Sequence, residues 1–157
     1  MKRLAVCPGS YDPVTLGHVD LVLRAKELFG EVEVVVMNNR EKHYLFSLEE
    51  RYELCKAAFE GVKGVRVFFS DGMLYEYLSE KEGAVLVKGI RNGTDFLYEK
   101  KMACFNREKC GVETVYFAAD ENLLSLSSTK VRQKMKNKED ISHLVPENVI
   151  KLLNNKL

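Results

Sequence analysis

Five short apolar runs, separated by longer segments with helical patterning, constrain the fold of this chain more than any other feature. The runs span residues 4–7, 32–37, 65–69, 84–87 and 114–118. Most are continuous and rich in β-branched or aromatic residues, as strands covered on both faces tend to be. Strands that alternate with helices in this way predict a parallel sheet with right-handed crossovers. We therefore expect an α/β fold, with a doubly wound sheet of about five parallel strands and flanking helices.

Helical segments fill the spaces between the runs and close the chain. They are predicted over residues 18–29, 47–59, 73–80, 95–108, 129–136 and 146–153. The second begins with Ser47 and carries Glu50 three residues later, which is the pattern of a capping box. Because no stretch has the composition of a linker and no internal repeat is present, we predict a single domain over residues 1–157.

Charge and apolar content exclude several classes of partner. The 157 residues carry 24 basic and 23 acidic side chains, a formal net charge of +1, so we expect neither nucleic acid nor an anionic membrane as a partner. No apolar run approaches the roughly 18 residues of a membrane span, and the stretch after Met1 is too short for a signal sequence. These features predict a cytoplasmic protein, whose apolar fraction of 46% is large enough for a sizeable core.

The cysteines and histidines show no metal-binding pattern. Cys7, Cys55, Cys104 and Cys110 lie apart in the sequence and form no Cys-x-x-Cys pair. In a cytoplasmic protein this spacing predicts buried free thiols rather than disulfides or metal ligands. The spacing of the three histidines does not suggest a protein metal site either.

The segment after the first run has the features of a phosphate site. Ligands of parallel sheets bind outside the carboxyl ends of the strands. There, Gly9 lets a ligand approach backbone amides, and Ser10 offers a hydroxyl. Residues 15–18 then open a helix whose free amides and positive dipole end favour phosphate. Gly17 leaves room above that helix start, and His18 can donate to a phosphate oxygen. A lone histidine is more often structural, but its grouping with two glycines and a serine favours a functional reading.

Cations follow the second and fourth runs. Lys42 can act as a mobile point charge on a phosphate, although composition alone would make it a solvated lysine, and Arg40 is a competing candidate. Lys88 and Arg91 flank a glycine at the end of the sheet where ligands bind. The guanidinium of Arg91 can fork onto phosphate oxygens, and Lys88 can neutralise another.

A hydroxyl-rich turn follows the fifth run. Ser127, Ser128 and Thr129 stand at a predicted helix start, where hydroxyls and free amides can bind phosphate oxygens. An ordinary N-cap with spare serines explains these residues equally well when they are considered alone.

The residues from 8 to 18 resemble the signature of the nucleotidyltransferase superfamily, with Thr15, Gly17 and His18 in the place of its commoner His-x-Gly-His. The full segment, Pro-Gly-Ser-Tyr-Asp-Pro-x-Thr-x-Gly-His, is similar to the phosphopantetheine adenylyltransferase family. Ser10 and Tyr11 replace the more usual Thr and Phe of that family, and both replacements keep the hydroxyl or the ring.

Two further segments are similar to the same family. Residues 88–99 resemble its Arg-Gly-hydrophobic-Arg motif followed by Asp-Phe-x-Tyr-Glu, and Lys88 keeps the charge of the commoner arginine but loses its planar fork. Residues 126–132 resemble its Ile-Ser-Ser-Ser/Thr-x-Val-Arg motif, with Leu126 in place of Ile. Residues 122–125 lack the aromatic residue of some members, which leaves nucleobase contacts there open. The resemblance extends over residues 2–149.

The resemblance implies a Rossmann-like fold and an activity. The implied reaction is adenylyl transfer from ATP to 4'-phosphopantetheine, giving dephospho-coenzyme A and pyrophosphate, the penultimate step of coenzyme A biosynthesis. It implies direct in-line attack without a covalent enzyme intermediate, and a Mg²⁺ ion held mainly by ATP phosphates and water. A homohexamer and feedback inhibition by coenzyme A are implied as well.

The resemblance also implies roles for individual residues. The implied catalytic residues are His18, Lys42, Arg91 and Ser10. The implied ATP-binding residues are Ser10, Tyr11, His18, Gly89, Ile90, Arg91, Glu99, Leu123, Leu124, Ser125, Leu126, Ser127, Ser128 and Thr129. The implied residues for the acceptor substrate are Ser10, Lys42, Leu74 and Lys88. Without the resemblance, Glu99 would be a surface carboxylate, and Leu74 is almost as well explained as core.

Other activities were weighed against this one. Nicotinamide-mononucleotide adenylyltransferases and glycerol-3-phosphate cytidylyltransferases share the first and last motifs, but residues 88–99 argue against both. A non-catalytic nucleotide sensor is disfavoured by the joint presence of His18, Lys42 and Arg91, since a sensor need not stabilise a transferring phosphorus. A fragment of an aminoacyl-tRNA synthetase is disfavoured by the charge balance.

Overall fold

The computed structural model describes residues 3–156, with the backbone alone described at position 156, and every predicted run of apolar residues forms a strand in it. The strands are β1 (Arg3–Gly9), β2 (Gly30–Met37), β3 (Val65–Ser70), β4 (Val85–Ile90) and β5 (Thr114–Ala118). The helices are α1 (Leu16–Phe29), α2 (Leu48–Ala58), α3 (Leu74–Ser79), α4 (Gly93–Cys110), α5 (Ser128–Lys136) and α6 (Glu147–Lys156). A short 3₁₀ turn, Glu121–Leu123, precedes α5.

The five strands form one sheet in the order β3-β2-β1-β4-β5, and all four neighbouring pairs are parallel. This order confirms the predicted fold class. The chain moves outward from β1 through β2 to β3, then returns to the other side of β1 for β4 and β5. The direction of winding therefore reverses between β1 and β4, and α/β sheets bind ligands at such a point.

Apolar side chains cover both faces of the sheet, as the continuous runs predicted. On one face, Ala5 and Val34 pack with the buried residues of α1, α2, α5 and α6 in the larger cluster. On the other face, Val6, Val35 and Leu86 pack against Leu78 of α3. Adjacent residues of the central strands point to opposite faces, which explains why apolar residues occupy most consecutive positions there.

Side-chain caps determine where several helices begin. Ser47 and Glu50 form the predicted capping box, with the amide of Glu50 donating to Ser47 Oγ at 3.1 Å and the amide of Ser47 donating to Glu50 Oε2 at 3.0 Å. Helix α4 begins two residues earlier than predicted, because Asn92 Oδ1 accepts from the amide of Asp95 at 2.9 Å. Helix α1 also begins two residues early, after Thr15.

Two expectations need correction. Lys88 and Gly89 were expected after the fourth strand, but both lie within β4, where their backbones pair with Tyr116 and Phe117 of β5. Cys7 and Cys55 are buried as predicted, whereas Cys104 is exposed and Cys110 only partly buried, although all four thiols are free. Helix α4, which carries Cys104 and Cys110, buries Asn106 and no other described residue, so the residue type alone did not ensure burial.

Within residues 3–156, no helix is both long enough and apolar enough to cross a membrane.

Candidate active site

A crevice opens where β1 and β4 separate. Pairing between these strands is confined to Ala5 with Val85 and Val6 with Leu86, whereas β1 stays paired with β2 as far as Gly9. Pro8 lies two residues after Val6, the last residue of β1 that pairs with β4, and it has no amide hydrogen to donate to a ladder. The carboxyl ends of β1 and β4 thus border a cavity of about 390 Å³, which α1, the end of β5 and the start of α5 complete.

Most of the residues implied by the family resemblance border this cavity. The predicted residues in its lining are Tyr11, His18, Lys88, Gly89, Arg91, Glu99, Leu123, Leu126, Ser127, Ser128 and Thr129. Those outside its lining are Ser10, Lys42, Leu74, Ile90, Leu124 and Ser125. Predicted residues from three stretches of the chain, 11–18, 88–99 and 123–129, therefore converge on one crevice at the carboxyl ends of the strands, as the rule for parallel sheets predicts.

The predicted residues outside the lining occupy three kinds of place. Ser10 and Ile90 are partly buried and adjoin Gly9 and Gly89, which do line the cavity, while Lys42 lies exposed in the loop after β2. Leu124 and Ser125 are exposed in the turn before α5. Leu74 borders a second, smaller cavity of about 100 Å³, and this cavity shares Lys88 and Glu99 with the larger one.

His18 is held by its own helix start. The amide of Thr15 donates to His18 Nδ1 at 2.9 Å, and the amide of His18 donates to Thr15 Oγ1 at 3.4 Å. This is a capping box in which histidine takes the usual place of Glu or Gln. Since Nδ1 accepts the hydrogen bond, the proton of the neutral imidazole is on Nε2.

The charge state of His18 follows from its surroundings. Burial of the ring, with a smaller contribution from the positive charges of Arg91 and Lys88, lowers the pKa of His18 from 6.5 to about 4. The imidazole is therefore neutral at physiological pH. Its Nε2–H can donate a hydrogen bond to an anionic oxygen, but a group with this pKa is a weak base.

The ring of Tyr11 packs against the imidazole of His18. The ring centroids of Tyr11 and His18 are 4.7 Å apart, and the Tyr11 hydroxyl donates to the carbonyl oxygen of Cys7 at 2.7 Å. A Cβ atom on Gly9 would come within 3.1 Å of the Tyr11 ring, so glycine allows the close approach of these two residues. Because the hydroxyl is occupied, Tyr11 offers ring surface rather than a hydrogen bond to a ligand.

Each cation of the larger cavity is paired with a carboxylate. Lys88 Nζ is 3.4 Å from Glu99 Oε1. The backbone amide of Arg91 donates to Asp95 Oδ2 at 3.2 Å, and its Nε donates to the same oxygen at 3.0 Å. The two terminal nitrogens of the guanidinium take no part in these two bonds. Burial would raise the pKa of Asp95, but the hydrogen bonds and charge of Arg91 lower it overall, so this carboxylate stays ionised.

The turn before α5 is fastened to the loop after β1. Ser128 Oγ donates to the carbonyl oxygen of Pro13 at 2.8 Å, and Arg132 donates to the carbonyl oxygen of Asp12 at 2.8 Å and to Thr129 Oγ1 at 3.1 Å. Ser127 Oγ caps the helix by accepting from the amide of Lys130. Ser128 uses its hydroxyl hydrogen in this contact, whereas Ser127 and Thr129 act only as acceptors. The helix start therefore offers a phosphate its backbone amides and the hydroxyl donors of Ser127 and Thr129.

Sequence reasoning missed several residues of the lining, namely Asp20, Leu21, Arg24, Asp95, Phe117, Ala118, Ala119 and Asp120. Leu21 and Arg24 lie four and seven residues after Gly17, so helical periodicity could have placed them on the same face of α1. Arg24 Nη1 donates to the carbonyl oxygen of Ala118 at 2.9 Å, and this fixes the end of β5 against α1. No comparable periodicity in the sequence could have indicated the lining residues at the end of β5, which are Phe117, Ala118, Ala119 and Asp120.

The described residues contain no cluster of three or more His, Cys, Asp or Glu side chains that could hold a metal ion. In the larger cavity, Asp95, Glu99 and Asp20 are each paired with a cation, the last with Arg24 at 3.3 Å. These carboxylates therefore do not form a ready cage for a divalent ion.

Comparisons with known proteins identify the family and the fold of the chain. The family model described as cytidylyltransferase-like matches residues 6–134. The phosphopantetheine adenylyltransferase of Paenarthrobacter aurescens is 42% identical over 152 residues, which are 96% of this chain and 92% of that protein. The protein of the same name from Streptomyces coelicolor is 40% identical over 155 residues, covering 99% and 98% of the two chains.

A solved structure from Vibrio parahaemolyticus, described as a nicotinate-nucleotide adenylyltransferase, superposes with a TM-score of 0.67. The match covers 98% of this chain and 99% of that one, at 22% sequence identity. At this identity the likeness shows a common fold and carries no inference about substrate.

Proposed function

The chain belongs to the phosphopantetheine adenylyltransferase family of nucleotidyltransferases, and from that premise we propose that it transfers the adenylyl group of ATP to 4'-phosphopantetheine by direct in-line attack. An oxygen of the acceptor phosphate bonds to the α-phosphorus, and the bond from that phosphorus to the bridging β-phosphate oxygen breaks. Pyrophosphate leaves, dephospho-coenzyme A forms, and no covalent enzyme intermediate is involved.

The neutral His18 at the mouth of the β1–β4 crevice is the observation that carries the proposal. Negative charge grows on the α-phosphate oxygens during transfer, and Nε2–H of His18 is a donor that its capping box already holds in place. The acceptor phosphate is ionised at neutral pH and attacks without help from a protein base. A histidine with a pKa of about 4 suits this scheme, because it serves as a donor and not as a base.

The remaining residues bind and orient the two substrates. Arg91 and the start of α5 hold the β- and γ-phosphates. The two terminal nitrogens of the Arg91 guanidinium support this role, because the ion pair with Asp95 uses Nε instead. Ser10 and Lys42 orient the acceptor phosphate. Lys88 contacts the acceptor, and its place between the two cavities supports an acceptor arm lying toward Leu74. Catalysis then rests on positioning and charge stabilisation.

The other implied ATP contacts belong to the same proposal. Tyr11, Gly89, Glu99, Leu123 and Leu126 border the larger cavity, which supports an ATP site there. Ile90, Leu124 and Ser125 lie outside its lining, and their roles rest on the family resemblance alone.

The proposal includes a magnesium ion held mainly by ATP phosphates and water. The pairing of Asp20, Asp95 and Glu99 with cations supports this arrangement, because these carboxylates already have partners. A bound Mg²⁺ would neutralise phosphate charge. A homohexamer, feedback inhibition by coenzyme A and a cytoplasmic location are also proposed, and they rest on the family resemblance and sequence composition.

Pyrophosphate release with a panel of acceptors tests the proposed function. The panel contains 4'-phosphopantetheine, nicotinamide mononucleotide and glycerol 3-phosphate, each with ATP and with CTP. We expect release only from ATP with 4'-phosphopantetheine. Release only with either of the other acceptors would refute the assignment, and ATP binding without release from any acceptor would indicate a nucleotide sensor.

A further inference from the structure

Arg51 of α2 joins the loops that carry the two residues proposed to hold the acceptor phosphate. We propose that Arg51 is a positioning residue for that phosphate, acting through Ser10 and the loop of Lys42 without touching either substrate. The inference rests on the proposed function and adds to it a residue outside the crevice that controls affinity for one of the two substrates.

The guanidinium of Arg51 is buried, with only 1% of the residue exposed, and it donates to four oxygens from three segments. Nη1 donates to the carbonyl oxygens of Ser10 and Met37, both at 2.9 Å. Nη2 donates to Asn38 Oδ1 at 2.6 Å, and Nε donates to the carbonyl oxygen of Phe46 at 3.2 Å. Arg51 thus connects the loop after β1 with both ends of the loop that contains Lys42.

The contacts of Arg51 continue toward Lys42 itself. The guanidinium carbon lies 3.9 Å from the centroid of the Tyr44 ring. The Tyr44 hydroxyl accepts from the amide of Asn39 at 2.8 Å, and the carbonyl oxygen of Asn39 accepts from the amide of Lys42 at 2.9 Å. The backbone of Lys42 is therefore linked to Arg51 through two residues, although its own side chain is exposed.

The chemistry of this site requires an arginine. Among the described residues, Arg51 forms no ion pair within 4.0 Å, so the buried cation is satisfied by carbonyl and amide oxygens and by the face of Tyr44. A lysine has three donors on one nitrogen and cannot reach four oxygens spread around a planar fork. Asp12 and Glu49 contribute favourable charge at longer range, but the direct contacts of the guanidinium are with the two loops, which favours a role in holding these loops in register.

The ATP end of the crevice is held mainly by other residues, although Asp12 links the two ends. The carboxylate of Asp12 accepts from the amides of Leu45 and Phe46, and its carbonyl oxygen accepts from Arg132. The start of α5 is fastened by Ser128 to Pro13 and by Arg132 to Asp12, and Arg51 donates to none of these four residues. Arg91 is held by Asp95 on the far side of the crevice. Of the residues held by Arg51, the acceptor depends on both Ser10 and Lys42, whereas ATP depends on Ser10 alone, so loss of the Arg51 contacts should impair the acceptor more than ATP.

Steady-state kinetics of Arg51→Lys with each substrate varied in turn tests this inference. We expect kcat/KM for 4'-phosphopantetheine to fall on the order of 10-fold or more, because the attacking phosphate loses its orientation. We expect KM for ATP to change by less than about 2-fold. Tyr77→Phe is the control for general destabilisation, because it removes a 2.6 Å hydrogen bond to the buried Glu33 among residues that the reaction does not use. It should lower the melting temperature and leave both substrates unaffected.

Asn38→Ala is the second variant, in case Arg51→Lys does not fold. It removes one of the four acceptors of Arg51 from a partly buried site, and it also removes a 3.0 Å hydrogen bond to Asp71. Asp71→Ala removes the same bond, together with the exposed 3.8 Å pair between Arg40 and Asp71, but spares the contact with Arg51. Asn38→Ala should lower kcat/KM for the acceptor by about 3-fold beyond any effect of Asp71→Ala, in keeping with one lost hydrogen bond.

Two results would overturn the inference: parallel losses for ATP and the acceptor, or an unchanged acceptor kcat/KM in a folded variant. Hydrogen exchange separates this test from that of the proposed function. If the wild-type protein releases no pyrophosphate with 4'-phosphopantetheine, the proposed function fails, and the exchange of amides then decides whether Arg51 holds the loop. Faster exchange in Arg51→Lys confined to residues 38–46, with α5 unchanged, supports the role, and unchanged exchange in that loop refutes it.

Discussion

The backbone amide of Thr15 donates a 2.9 Å hydrogen bond to Nδ1 of His18, and this one bond determines how the imidazole can act. It consumes the lone pair of Nδ1 and leaves the proton of the neutral ring on Nε2. The start of α1 also fixes the orientation of the ring, because the bond belongs to the capping box of this helix. The orientation and the tautomer of His18 are therefore set by the same local structure.

Replacing His18 with alanine should reduce turnover by on the order of 10²-fold or more, because the variant loses a donor to the charge that grows on the α-phosphate. ATP binding should largely survive, since Arg91 and the start of α5 remain. Pyrophosphate release and equilibrium ATP binding are the two measurements. Near-normal turnover in a folded His18→Ala variant would remove His18 from the mechanism.

The lowered pKa of His18 predicts a pH dependence of stability. Between about pH 4 and pH 6.5 the folded protein keeps the ring neutral while the unfolded chain binds a proton there, so stability should fall as the pH drops through this window. His18→Asn is a matched control that keeps an acceptor at the helix start but does not titrate. Denaturant unfolding should show a steeper loss for the wild type than for this variant.

An NMR titration of the His18 ring supplies a direct check. Its resonances, assigned by their absence in His18→Asn, should shift with a midpoint near pH 4 and remain unchanged across neutral pH. A midpoint at the ordinary value of 6.5 would contradict both the pKa and the role of the ring as a neutral donor.

The parts of the structure that the sequence predicted are those with local signals. The capping box of Ser47 and Glu50 follows from a spacing of three residues between the right residue types. The box of Thr15 and His18 was missed, because histidine is not among the residues expected at its third position. Lys88 was predicted to follow β4, but it lies within this strand. Apolar patterning indicates which residues are buried, whereas the end of a strand is defined by backbone pairing.

No local sequence signal could have indicated the role of Arg51. Its hydrogen-bond acceptors are backbone carbonyls of Ser10, Met37 and Phe46 and the side chain of Asn38, which only the folded sheet brings together. Backbone carbonyls have no residue identity, so a buried arginine that serves them leaves no motif. The crevice itself was predictable from topology, because strand order dictates where a parallel sheet opens.

Tyr11→Phe should lower the free energy of unfolding by about 1 kcal/mol, the usual net value of a buried hydrogen bond. The hydroxyl donates to the carbonyl oxygen of Cys7, while the ring packs against His18. Since phenylalanine keeps the ring, turnover should stay within about 2-fold of the wild type. Chemical denaturation and pyrophosphate release measure the two quantities. A large loss of turnover would show that the hydroxyl has a role beyond its bond to Cys7.

Lys42 and Arg40 are the two candidates for the contact with the acceptor phosphate, and their surroundings differ. Arg40 is directed to Asp71, with 3.8 Å between Nη2 and Oδ2, whereas the backbone of Lys42 is tied to Asn39 within the loop that Arg51 holds. Lys42→Ala should therefore raise KM for 4'-phosphopantetheine by about 10-fold or more, as expected for a lost charge-assisted contact to phosphate. Arg40→Ala should change it by less than about 2-fold, since an exposed pair such as Arg40–Asp71 contributes little.

The two variants are matched in charge and lie two residues apart in one loop, so any general effect of a lost cation on the anionic substrate appears in both. Raising the salt concentration should shrink that shared effect and leave the excess loss of Lys42→Ala largely intact. The opposite ranking, with Arg40→Ala the more damaging, would transfer the phosphate contact to Arg40. Equal losses that disappear at high salt would mean that the loop contributes only a diffuse positive field and no specific contact.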